Sequence, residues 1–175
     1  MSETKNITVP EINKTVEQML IKGRWLDALD FWINNTDSLV LIRWLAQFIS
    51  QLSPEEDSLL LQSIVRWKEG DDEQRWEIFR HAESVGFSTQ TGALGVSLFV
   101  SQGSLSPAPY DPVYAPSCSE KKIIYGILMH QSNKYYDAPD EGVFFFFGIG
   151  VIVIPRSCIC LNLLQELLIC MYVLW

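Results

Sequence analysis

The stretch LIRWLAQFISQLSPEEDSLLLQSIVRWKEGDDEQ, Leu41 to Gln74, holds the signals that decide the fold. Leu41, Leu45, Phe48 and Leu52 return every three or four residues, and so do Leu60, Ile64 and Trp67. Each set therefore makes one apolar stripe along a helix. Between them, Ser53-Pro54-Glu55-Glu56 puts a hydroxyl at an N-cap, a proline in the first turn and a glutamate at N3. That arrangement satisfies amide groups that a helix start leaves free. Gly70 follows the second stripe, where a left-handed residue ends a helix without a Cβ penalty, and Asp71-Asp72-Glu73-Gln74 opens the next.

Working outward, Thr8-Val9-Pro10-Glu11 and Ser117-Cys118-Ser119-Glu120 repeat the start signal, and Gly23 and Gly86 repeat the stop. Trp25, Leu29 and Trp32 form a further stripe. Helices are expected over residues 10–22, 24–34, 37–51, 54–68, 72–85, 89–102 and 118–132. Short turns imply that successive helices pack antiparallel, so the expected fold is all-α, an irregular antiparallel bundle of about six or seven helices. No convincing repeat marks a helical solenoid. Within this bundle Trp25, Trp32, Trp44, Trp67 and Trp76 read as core fillers rather than a ligand-stacking cage. Thr91-Gly92-Ala93-Leu94-Gly95-Val96-Ser97 is rich in small residues that let a helix approach its neighbours closely, which predicts a buried central helix.

The chain has 175 residues and a formal charge of −8, with a pI near 4.7. One core is the default at that length. The acidic balance argues against nucleic acid, because phosphate binding needs clustered lysine and arginine. The opening MSETKNITVPEINKT lacks the basic start and apolar run of a signal peptide, so a cytoplasmic location and reduced thiols at Cys118, Cys158, Cys160 and Cys170 are expected.

From Gly103 to Ser117 the chain reads GSLSPAPYDPVYAPS, and prolines at 107, 109, 112 and 116 forbid regular helix. A Pro-rich strap over the helical face is the structural expectation. Pro107, Tyr110, Pro112 and Tyr114 are the candidate partner-binding ridge, with Tyr110 expected exposed beside Asp111 and Tyr114 expected buried.

The stretch RWEIFRHAESVGFSTQTGALGVSLFVSQGSLSPAPYDPVYAPS, Arg75 to Ser117, resembles the signature of an uncharacterised bacterial family whose genes often lie near type VI secretion clusters. In that signature a helix ending in glycine leads to a small-residue helix, then Gly-Ser-Leu and a proline-rich strap. This chain departs from it at Gln90 and Ala93, where the family has a proline and a bulky residue. The resemblance carries no catalytic residues. It implies a neighbourhood rather than a reaction; together with the acidic charge and the absence of a catalytic constellation, it makes the expectation a non-enzymatic cytosolic interaction protein, an accessory or adaptor whose protein partner is a secretion component or effector.

The ending differs in composition, which divides the chain into a helical domain over 1–142 and an apolar tail over 143–175. Val143 to Ile154 is apolar throughout but falls short of the roughly 20 residues that span a bilayer, and Arg156 and Glu166 are costly in lipid. Membrane contact is expected only if this tail inserts. The alternatives are a buried soluble segment and a frame change near Phe144 to Phe147, where four phenylalanine codons impose a thymine-rich run.

No catalytic, cofactor-binding or metal-binding residue is expected. His81 and His130 stand in no metal-ligand spacing, and Cys158-x-Cys160 is not a Cys-x-x-Cys half-site. The acidic runs at Glu55 to Asp57 and Asp71 to Glu73 sit in first helical turns, where they complement the helix dipole. The alternative of an enzyme would assemble a site from His81, Glu83, Tyr110 and His130 across a deep polar pocket. The other alternative is a tail-anchored membrane protein.

Overall fold

The structure, a computed structural model, describes residues 8–52, 57–135, 140–143 and 145–147. It is all-α, with no strand among the described residues. The helices are α1 (Val9–Ile21), α2 (Trp25–Asn35), α3 (Ser38–Leu52), α4 (Ser58–Arg66), α5 (Asp72–Val85), α6 (Gln90–Ser101) and α7 (Ser119–Tyr135). Residues 140–143 and 145–147 are again helical.

The starts follow local chemistry. At α1 the Glu11 carboxylate reaches back to accept both the Thr8 amide and the Thr8 hydroxyl, each at 2.8 Å. These bonds hold the Glu11 carboxyl below the usual carboxylate range. Asp71 accepts from the Gln74 amide at 3.0 Å to start α5, and Thr89 accepts from the Gly92 amide at 3.0 Å to start α6. Gly23, Gly70 and Gly86 all take positive φ, as stops after helices or their last turns require.

Two starts differ from the expectation. Helix α4 begins at Ser58, with Asp57 as the N-cap accepting from the Leu60 amide at 2.7 Å; Ser53 to Glu56, where the start was expected, lies outside the described residues. Helix α7 begins at Ser119, one residue after the expected 118. Its Glu120 carboxylate, expected to serve the helix start, accepts the Ser38 hydroxyl of α3 at 2.9 Å.

Helix α6 is the centre of the bundle, packing against α3, α4, α5 and α7. Its small residues make this possible. A Cβ on Gly95 would stand 2.7 Å from the Cβ of Ala82 in α5, and one on Gly92 would stand 2.1 Å from the Gly86 carbonyl oxygen. Helices α1 and α2 pair with each other, and α2 lies along α7. The expected stripes all face inward, with Leu29, Trp32, Leu41, Leu45, Leu60, Ile64 and Trp67 at 2% exposure or less. Burying each such side chain contributes about 1.5–3 kcal/mol. Trp25 and Trp76 are half-buried.

Residues 140–143 and 145–147 join the same core. Val143, Phe146 and Phe147 are buried, and an aromatic seam links them to α2 and α3: Phe147 meets Trp32 at 5.1 Å between ring centroids, Phe146 meets Phe48 at 5.5 Å, and Trp44 bridges Trp32 and Phe48 at 5.4 Å to each. Gly142 lets this segment close on α7, since its Cβ would lie 2.7 Å from the Ser132 Cα. Residues 148–175, with most of the apolar tail and Cys158, Cys160 and Cys170, lie outside the described residues. Among those described, no helix is long and apolar enough to cross a membrane.

Candidate interaction surface

Helix α6 ends at Ser101 and the chain turns at Gly103, whose φ of +73° suits glycine. A Cβ there would come within 3.2 Å of the Arg75 guanidinium. Arg75 sits in the first turn of α5 and is 1% exposed. Its charge is met by the Asp72 carboxylate at 2.6 Å, its Nη1 donates to the Phe99 carbonyl at 3.0 Å, and its Nη2 donates to the Ser104 carbonyl at 2.7 Å. The guanidinium also lies 4.3 Å from the centroid of the Phe99 ring, a cation–π contact away from water. Beyond Phe99, the rings of Trp76, Phe79 and Phe87 continue the contact along α5 to its turn into α6.

Ser104 in turn organises the strap. Its hydroxyl oxygen accepts from the Ser106 amide at 3.0 Å and the Val113 amide at 3.1 Å, and donates to the Ser106 carbonyl at 3.1 Å. The Leu105 amide donates to the Val113 carbonyl at 2.7 Å, tying the two limbs of the loop together. A turn from the Pro107 carbonyl to the Tyr110 amide, 3.0 Å, and a cis bond at Ala108–Pro109 form its tip.

The strap therefore stands on backbone and hydroxyl bonds, and its rings point outward. Pro107, Tyr110, Pro112 and Tyr114 are all exposed. Tyr110 is 72% exposed and Tyr114 is 68%, with Val113 between them at 54%. Tyr114 is thus not the buried anchor that the sequence suggested. Its backbone neighbour Val113 is the pinned residue, so the tyrosine ring is left free of the bundle.

The residues of the alternative catalytic site lie elsewhere. His81 Nε2 sits 3.0 Å from Asp57 Oδ2, joining α5 to the N-cap of α4. Desolvation raises the Asp57 pKa, but the Leu60 amide, the His81 ring and the Leu59 amide outweigh it and hold the carboxyl below its ordinary value. Glu83 and His130 are exposed on α5 and α7. A cleft of about 340 Å³ is lined by Asp30, Ile33, Asn34, Cys118, Lys121, Lys122 and Tyr125, and a smaller one of about 160 Å³ by Trp67, Gly70, Asp72, Arg75, Gln102 and Gly103. Neither contains His81, Glu83, Tyr110 or His130. Among the described residues no group of three histidines, cysteines or carboxylates could hold a metal ion.

Arg75 and Ser104 are the residues that sequence reasoning passed over. The one local sign was a cation in the first turn of α5, the end of the helix where the dipole disfavours positive charge. Such a placement calls for a partner elsewhere.

No characterised protein and no solved structure shows significant similarity to the chain. A family model does match, over residues 15–151, and it takes in all of α2 to α7, the strap and the aromatic seam. The chain belongs to DUF6931, a family of unknown function.

Proposed function

We propose that the protein is a non-enzymatic interaction module whose strap is the docking ridge for a protein partner. The observation that carries this reading is the outward presentation of Pro107, Tyr110, Pro112 and Tyr114 on a loop held by polar bonds. Aromatic residues exposed on an ordered support bring contact area at low entropic cost, and interface energy concentrates in a few such anchors. The resemblance to an uncharacterised bacterial family encoded near type VI secretion clusters supports a cytoplasmic accessory or adaptor role, with a secretion component or an effector as the partner. The net charge of −8 suits a partner with a basic or neutral face and disfavours nucleic acid.

The double variant Tyr110→Ala Tyr114→Ala tests this. Immobilised wild-type chain is expected to retain a secretion component or effector from extracts of a host carrying the cluster. The variant is expected to lose it while its unfolding midpoint stays within about a degree of wild type, because exposed substitutions change stability little. Retention of the same protein by the double variant would remove the ridge from consideration.

A further inference from the structure

We infer that Arg75 and Ser104 form a two-residue relay that positions the ridge, and that the strap opens as a unit separate from the bundle when the relay is cut. The described rings of the strap are exposed, so apolar burial does little to hold it. What fixes it is a chain of hydrogen bonds. The buried Arg75 holds the Ser104 carbonyl, and the Ser104 hydroxyl holds the amides of Ser106 and Val113, on the two limbs of the loop. Val113 lies between Pro112 and Tyr114, so this hydroxyl, together with the Leu105 amide on the Val113 carbonyl, sets the course of the ridge backbone. Arg75 is itself over-determined by Asp72, the Phe99 carbonyl and the Phe99 ring, which makes it a rigid post.

Hydrogen exchange at single amides reads this directly. Ser104→Ala removes the hydroxyl and leaves the carbonyl on Arg75, and the Ser106 and Val113 amides are expected to exchange about tenfold faster, the scale of one lost hydrogen bond. Amides in α5 and α6 should keep their wild-type rates, and Ser104→Thr, which retains a hydroxyl, should restore protection. Arg75→Lys keeps the charge without the planar fork and should loosen the strap as well. It should also lower the unfolding midpoint, because the buried Phe99 carbonyl loses its donor. Wild-type exchange at Val113 in Ser104→Ala overturns the relay, whatever becomes of Arg75→Lys.

The positioning role rests on the ridge being the docking surface, and the two can fail separately. If the tyrosine double variant loses the retained protein but Ser104→Ala keeps it despite faster exchange, positioning by the relay is overturned and the ridge stands. Weaker retention by Ser104→Ala, at an unchanged midpoint and with rescue by Ser104→Thr, supports both.

Discussion

Asp57 joins two tasks in one side chain, since Oδ1 caps α4 through the Leu60 amide and Oδ2 meets His81 of α5. Replacing it by alanine should cost about 1 kcal/mol at neutral pH, as for other lost caps, measured as a fall in the denaturant midpoint. The effect should carry a pH signature. The folded pKa of Asp57 is depressed, so its contribution is complete above the ordinary carboxylate pKa and is lost as pH falls through the lower folded value. The gap between wild type and Asp57→Ala should therefore narrow under acid conditions; a gap that widens there would show that the ionised cap is not the source. Arg75 shows the same economy with the opposite charge. It satisfies a carbonyl at the end of α6, another in the strap and a carboxylate in its own helix.

Helix α6 makes its contacts through residues it lacks. Gly→Ala in a helix normally stabilises by roughly 0.5–1 kcal/mol, yet at Gly95 the new methyl would meet Ala82 at 2.7 Å. Overpacking of this kind costs about 1–3 kcal/mol, so Gly95→Ala should destabilise, and adding Ala82→Gly should recover part of the loss in a thermal or denaturant melt. Additive losses in that double variant would place the strain somewhere other than the α5–α6 contact. This crowding was legible in the sequence as a run of small residues, and the helix boundaries were legible because caps and glycine stops are local chemistry. The start of α7 fell within a residue of its expected place, but the role of Glu120 was not legible, because it accepts from Ser38 in α3, a partner 82 residues away, which no local pattern can report. The strap was readable as a strap from its prolines. Whether Tyr114 faced in or out was not, because that depends on which atom of the loop the bundle grips. The grip is a serine hydroxyl backed by a buried arginine; the serine does not stand out among its neighbours in the sequence, and the arginine does so only as a cation in a first helical turn.

At the scale of the whole molecule, composition placed a boundary at residue 142, and the aromatic seam runs across it. Phe146 is 1% exposed against Phe48, so Phe146→Ala should cost about 3–5 kcal/mol, the range for deleting a buried aromatic. Exposed Tyr110, of similar size, should cost little when changed the same way, and equal losses at the two sites would contradict the packing described. The seam also imposes an order in time. The α5–α6 pair and its turn are contacts between near neighbours in the chain, which close quickly, whereas Trp32 and Phe147 are separated by more than a hundred residues whose loop entropy must be overcome first. A nascent chain emerging from the ribosome can form α1 to α3 early, but the faces of Trp32 and Phe48 that meet residues 145–147 stay uncovered until those residues arrive. Over that interval those apolar rings face the cell, and the speed with which residues 145–147 dock sets how long the exposure lasts.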